Sequence, residues 1–569
     1  MIERELRTLV RQAITRAHAA GELNDGQSPL FDVTQPQRRE HGDWSTNVAM
    51  VLQKVERKPP RKIAEVITKY LPPADWIREV RIEGPGFINF HLSNVWLHDA
   101  VARALDQRER FGATTEGEGR TVNVEFVSIN PTGPLHIGSA RNAALGDCVA
   151  RALEFHGFAV TREYYFNDAG SQMTNFGLSV AARYLELLGR SAELPEDGYR
   201  GGYVVDIARE ILEQDGKKYA DMSLEELGDV MRERAYPVVI RWIENSLERF
   251  RVHMDVWFKE RSLYEDNKVD EVLVKLEDAG YVYEHEGAKW LRTTDFGDTR
   301  DRPVVRSFGA KEPTYLLPDL AYHVDKVGRG FDTMIVVLGA DHHGHAPSLK
   351  AGMEGLGIDP ERVEVLIYQW VHMLRSGEEQ SMSKRAGTFE SLDEFIDEVG
   401  VDAARYTLVS TSADNTLYFD IEEIKKQTLE NPVYYVQYAH ARIASILRNA
   451  TEAGVDGSEE EVVWDELHRE PEVELMRAIV AFEETALVAM RHRAPYRIAK
   501  YAEELSRQFH RFYTECRVLT DDAGLTRARL ALATGTKQVL ANALGLLGVE
   551  APERMAERIE REGQDDELV

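Results

Sequence analysis

The stretch TVNVEFV (121–127) alternates β-forming residues, and VTREYYF (160–166) resumes the same strand texture. Between them, SARNAALGDCVARALEFHG (139–157) places apolar residues at helical spacing and ends on Gly157, a suitable helix C-cap. Strand, helix and strand within about 45 residues predict a βαβ crossover and a Rossmann-type parallel sheet. Residues from about 175 to 285 are charged and helical in pattern, which predicts an insertion into that sheet. Strand texture returns at KWLRTT (289–294), at TMIVVLGADHHGH (333–345), a buried strand breaking into a loop, and at RVEVLIYQWVHML (362–374). Upstream, MIERELRTLVRQAITRAH reads as an amphipathic helix, and FINFHL (87–92) as a strand behind the turn Gly84-Pro85-Gly86. Beyond about 415 strand texture ends: IEEIKKQTLENPVYYVQYAHARIASILRNA and the segments near 471–490, 496–519 and 525–547 all predict helices. The expected architecture is multidomain α/β. An α+β N-terminal domain (1–112) precedes a Rossmann-type catalytic domain with a helical insertion (113–400), and an all-α bundle (401–569) ends in a charged tail (556–569).

Composition agrees with several domains, since 569 residues exceed what one core organises. No run approaches the roughly 20 apolar residues of a membrane span. The first residues carry both charge signs, unlike a signal peptide, so cytoplasmic residence and no membrane partner are expected. Cys148 and Cys516 are far apart and outside any CxxC pair, which argues against a disulfide framework or a cysteine-ligated zinc. A formal net charge of −28 opposes nucleic-acid binding by the surface as a whole. Binding depends on where positive charge lies, however, and two segments concentrate it: KVERKPPRKIAEVITK (54–69) and RHRAPYRIAKYAEELSRQFHRFYTECR (491–517).

The candidate chemistry starts at PTGPLHIGSAR (131–141), where a strand end leads into a helix start. Open α/β sheets bind ligands at such corners, and helix N-termini favour anions. The loop matches neither GxxxxGK[ST] nor GxGxxG, so it is neither a Walker loop nor a dinucleotide fingerprint. His136 is placed to donate a hydrogen bond to a phosphate oxygen in a transition state. A second loop, SMSKRAG (381–387), offers Lys384 to neutralise a departing pyrophosphate. A rival chemistry resides in GADHHGH: Asp341, His342, His343 and His345 read as metal ligands of a phosphoesterase, although no second cluster of ligands is evident elsewhere.

Taken together, these loops resemble the two signature motifs of the class I aminoacyl-tRNA synthetases, HIGH and KMSKS. Within that class the chain resembles the arginyl-tRNA synthetase family over most of its length, through HGDWSTNVAM, VEFVSINPTGPLHIG, REYYFNDAG, YLLPDLAYH, GADHHGH, DEVGVDAARY, NPVYYVQYAHARI and APERM. The resemblance implies ATP-dependent activation of L-arginine and transfer to the 2′-OH of the terminal ribose of tRNA(Arg). It implies ATP with Mg²⁺ as the substrate complex, no structural metal, and a monomer. It assigns arginine binding to Glu125, Ser128, Asn130, Tyr315, Asp319 and His343. Carboxylates at Glu125 and Asp319 suit a planar guanidinium. ATP contacts fall to His136, Gly138, Gly339, Asp341, Met373, Leu374, Met382, Ser383 and Lys384, and catalysis to His136, Ser139 and Lys384. The N-terminal domain is implied to meet the tRNA elbow and the C-terminal bundle the anticodon, through Tyr435, Tyr438 and Arg442 at i, i+3 and i+7 of one helix face. Two positions depart from the class pattern: Ser381 replaces the first lysine of KMSKS, and Ser139 the second histidine of HIGH. The second departure keeps open an alternative, a non-catalytic synthetase-like RNA-binding paralogue.

Overall fold

The structure, a computed structural model, describes residues 2–24, 29–36, 38–168, 170–306, 312–379, 391–455 and 462–555. They divide into two compact units, one made of the described residues within 1–111, 446–484 and 507–539, the other of those within 112–445, 485–506 and 540–555. In the first, helix Ile2–Ala19 buries Leu6, Val10, Ala13, Ile14 and Ala17, the apolar stripe of the expected amphipathic helix. A four-stranded antiparallel sheet includes the expected strand Phe87–Leu92, paired with Trp44–Thr46 and Ile77–Glu83.

The second unit is organised by five parallel strands: β1 (Thr121–Glu125), β2 (Ala159–Phe166), β3 (Val256–Lys259), β4 (Thr333–Gly339) and β5 (Val363–Tyr368). Their spatial order is β5-β4-β1-β2-β3. The chain runs outward from β1 through β2 to β3, then returns to the other side of β1, so the order reverses between β1 and β4. Open α/β sheets bind ligands at that switch point, beyond the carboxyl ends of the strands. Helix α1 (Ile137–Phe155) makes the β1–β2 crossover. Most of its side chains are buried, and Asp147 on it accepts hydrogen bonds from Arg405 and from Arg151, the latter at 2.7 Å. Arg405 also donates to the carbonyls of Phe250 (2.8 Å) and Leu547 (3.0 Å), so one buried guanidinium ties α1 to two distant chain segments.

Three expectations need correction. The insertion is helical, with Ser171–Leu187, Gly202–Asp215 and Leu224–Arg249, but it ends earlier than expected, because β3 lies inside the 175–285 range and belongs to the main sheet. The strand in KWLRTT, Ala288–Leu291, joins a separate three-stranded antiparallel sheet. The single strand expected over 362–374 is two: β5 stops at Tyr368, and Val371–Arg375 pairs in parallel with Leu417–Asp420, a strand in the region read as wholly helical. Helix Pro432–Glu452 likewise begins afresh at a proline, where Asn431 donates to the Ile424 and Lys426 carbonyls.

Gly146 on α1 shows how closely helix and sheet approach. A Cβ there would lie 2.2 Å from Cγ of Phe126, itself fully buried just after β1. Gly146→Ala is expected to destabilise the chain by about 1–3 kcal/mol, read as a lower denaturant midpoint at unchanged slope. Gly202→Ala, where a Cβ meets nothing within 4 Å, should leave the midpoint in place.

Candidate active site

Beyond the carboxyl ends of β1 and β4 lies a cavity of about 770 Å³, within the range of small-molecule sites. Its floor is the chain leaving β1 (Val127, Ser128, Ile129). One wall is the end of β4 with Gly339 and Asp341; the others are the start of α1 and residues 368–372. Val127 and Ser128 both have positive φ, 69° and 39°, so the backbone turns sharply there. Ser128 Oγ accepts a hydrogen bond from the Tyr165 amide at 3.1 Å.

His136 is the N-cap of α1. Its Nδ1 accepts the Ser139 amide N–H at 3.3 Å, which in a neutral imidazole leaves the proton on Nε2. Ser139 Oγ lies 3.4 Å from that Nε2, so Ser139 touches the ring at both nitrogens. A Cβ on Gly138 would come within 2.9 Å of the imidazole and push it from this position. His136 thus presents a donor to the cavity at a helix N-terminus, where the peptide dipoles favour an anion.

Beside the cavity is a buried cluster of acids. Glu125, the last residue of β1, pairs with Lys326 Nζ at 2.7 Å, and the lysine side chain is fully buried on helix α2 (Leu316–Gly328). Burial pushes the Glu125 carboxyl above its ordinary value, and the Lys326 ammonium pulls against it. Glu163 on β2 is also desolvated. Arg329 (2.7 and 2.8 Å), the Lys326 charge and the Tyr322 hydroxyl (2.6 Å) outweigh the burial and hold it below the usual range. Asp319 contacts His345 Nε2, and this partner overcomes burial to lower the carboxyl and raise the imidazole. Glu260, just after β3, receives the Tyr165 hydroxyl at 2.8 Å. Burial pushes it up to about 7, and the charges of Asp319 and Asp168 add to that. No cation among the described residues pairs with it.

These positions redistribute the expected roles. His136, Gly138, Ser139, Ser128, Gly339 and Asp341 do line the cavity. From the following strand and turn the lining takes Val371, His372 and Glu379 but not Met373 or Leu374, whose backbone groups are the ones expected against the adenine. Glu125 already has a cation, so the carboxylate left without one beside Asp319 is Glu260. No motif announced it, since it sits in the charged run FKERSLYED. His343 is exposed, its Nδ1 3.2 Å from the Ala340 carbonyl, and the histidine that reaches Asp319 is His345. Tyr315 is 64% exposed at the start of α2. Asn130 donates to Gln172 at 2.6 Å. Ser381, Met382, Ser383 and Lys384 lie outside the described residues. On helix Pro432–Glu452, Tyr435 and Tyr438 are half-buried and Arg442 is exposed. In the second basic cluster, Arg491 and Arg493 are engaged in ion pairs with Glu116 (2.6 Å) and Glu364 (3.0 Å).

A Rossmann-order sheet, a nucleotide-sized cavity at its switch point and a histidine capping the adjoining helix define the catalytic fold of class I tRNA synthetases. Residues 100–444 match the family described as tRNA synthetases class I (R), catalytic domain. The chain belongs to the arginyl-tRNA synthetase family: residues 4–92 match the arginyl tRNA synthetase N terminal domain, and residues 436–555 the DALR anticodon binding domain. It is 45% identical over 547 residues to the arginine–tRNA ligase of Desulfitobacterium hafniense (strain DSM 10664 / DCB-2), covering 96% of this chain and 97% of the relative. It is 44% identical over 559 residues to that of Heliobacterium modesticaldum, covering 97% and 99%. The fold is that of the Thermus thermophilus arginyl-tRNA synthetase, with a TM-score of 0.76 at 24% identity over 98% of this chain and 100% of that one. Neither the phosphoesterase nor the non-catalytic alternative gains support.

Lys326→Met would leave Glu125 buried without its cation. A loss of about 3–5 kcal/mol is expected, measured by chemical denaturation, with much of it recovered when Glu125→Gln is added.

Proposed function

We propose that the chain charges tRNA(Arg) with L-arginine in two steps at the cavity between β1 and β4. The arginine carboxylate attacks the α-phosphorus of ATP, the α–β phosphoanhydride bond breaks, and pyrophosphate leaves with arginyl-adenylate formed. The 2′-OH of the terminal ribose then attacks the arginyl carbonyl, loses its proton and releases AMP. The observation that carries this reading is the juxtaposition, bridged by Ser128 and Tyr165, of a phosphate-favouring helix N-terminus bearing His136 with a buried acid cluster. Catalysis is by position and electrostatics. His136 donates to the phosphate as negative charge develops, Ser139 holds the imidazole, and Lys384 meets the departing pyrophosphate. Mg²⁺ accompanies ATP as part of the substrate and screens its phosphates.

Glu260 and Asp319 receive the guanidinium, with Glu125 held by Lys326 as support. One acid without a cation among the described residues, Glu260, and one whose partner is a histidine, Asp319, suit the forked donor of arginine and reject uncharged analogues. Residues 1–112 are read as the elbow-binding domain, 113–400 as the catalytic domain and 401–569 as the anticodon-binding domain, with Tyr435, Tyr438 and Arg442 offered to unpaired bases. Monomeric, cytoplasmic action is part of the reading. Among the described residues no helix is long and apolar enough to cross a membrane.

Arginine-dependent ATP–pyrophosphate exchange, run with and without tRNA(Arg), tests the activity; no exchange under either condition would refute it. Lys384→Ala should slow activation by about 10²–10³-fold and leave arginine affinity nearly unchanged, as separated by pre-steady-state kinetics. Because the guanidinium requires the ionised form of Glu260, arginine binding should reach its plateau above about pH 8 and be halved near about pH 7. It should weaken about tenfold by pH 6, following the carboxyl near 7. Calorimetric titration of Glu260→Gln should give weaker binding with that pH dependence flattened.

A further inference from the structure

Arg141 follows His136 by five residues on α1 and is fully buried. Its guanidinium meets backbone carbonyls: Nη1 donates to Gln369 (2.7 Å), Asn415 (3.1 Å) and Trp370 (3.4 Å), and Nη2 to Ser412 (3.0 Å). Its Nε has no hydrogen-bond partner among the described residues, and no carboxylate among them neutralises the charge. Burial accordingly pushes the group down to about 10. A cation taken out of water without a counter-ion is unfavourable and is easily replaced by an apolar side chain unless its geometry is needed.

The geometry joins the two sides of the cavity. Gln369 and Trp370 form the bend between β5 and the strand Val371–Arg375 and are part of the cavity wall, while His136, Gly138 and Ser139 face it from α1. Residues 412–417 brace that bend: the Gln369 amide donates to the Ala413 carbonyl and the Leu417 amide to the Trp370 carbonyl, each at 2.9 Å. Tyr368 adds a hydroxyl to the Gly138 carbonyl at 3.3 Å. A planar group with several fixed donors is required to hold carbonyls from two segments at once, and an ammonium at the end of a flexible stem does not reproduce it.

We infer that Arg141 is a positioning residue for ATP: it clasps the Gln369–Trp370 bend and so fixes the width of the cavity between that wall and the His136 imidazole. The inference rests on the reading of the cavity as the nucleotide site. A wall released from α1 grips the nucleotide less well, while the acid cluster on the far side of Ser128 is undisturbed, so ATP and arginine should respond differently.

The test is steady-state aminoacylation by the full chain carrying Arg141→Lys or Arg141→Met, at saturating tRNA(Arg), with a thermal melt of each variant. Both variants should raise the KM for ATP at least tenfold and keep the KM for arginine within twofold. An unchanged KM for ATP, or equal rises in both constants, would overturn the inference. Wild-type behaviour of Arg141→Lys would do so too, since charge alone would then suffice. If neither variant folds, Arg141 serves stability and the positioning role is likewise refuted. An inactive wild-type chain would instead count against the arginine-ligase reading, so the two failures are distinguishable.

Discussion

β1 ends on a carboxylate withdrawn from water, and much of the second unit is arranged around that constraint. Glu125 sits in the middle of the sheet, where a lone charge is strongly disfavoured. Lys326 on α2 meets it, and the same helix carries Arg329 to Glu163 and Asp319 to His345. This helix and its C-cap residue therefore supply the cations that make Glu125 and Glu163 tolerable, together with a third acid, Asp319, whose partner is a histidine. Its position against β1 and β2 is set by charge as well as by the apolar cluster beneath it, which includes Leu316, Leu317, Leu320 and Ala321.

The second organising constraint is the reversal of strand order at β1. It opens a crevice where the loop after β1, the start of α1 and the end of β4 converge without any of them having to bend far. The signature histidine thereby becomes an N-cap, and its tautomer is fixed locally by the amide three residues on. Ser139 stands where the class places histidine. It keeps the ring oriented through both nitrogens and brings no charge of its own.

What could be read from the sequence follows from how local each signal is. β1, β2 and β4 were legible because a buried or half-buried strand imposes its own residue pattern. β3 was not, because four residues, VWFK, carry too little periodicity amid about a hundred charged helical ones. The break at Gln369–Trp370 was invisible because carbonyls clasped by Arg141 leave no trace in side-chain pattern. Among the cavity-lining residues, His136, Gly138 and Ser139 stand in a motif and are therefore legible in the sequence. Glu260 lay in a charged run indistinguishable from a solvated face, and only its position after β3 shows that it is buried. The resemblance points to His343, whereas the turn after β4 brings His345 to Asp319, a contact that the sequence alone does not reveal.

The Glu125–Lys326 pair has a consequence for how ions in the medium act on this molecule. Its members are shielded from solvent, so dissolved salt scarcely weakens their attraction, whereas charges at the surface lose theirs beyond about 8 Å at physiological ionic strength. With 97 acidic residues against 69 basic ones, the exterior repels a polyanion except where cations cluster, and that balance shifts with every change of electrolyte. The chain therefore separates two kinds of charge by depth: a buried pattern of acids and cations that is insulated from the surrounding electrolyte, and an exterior that answers to it.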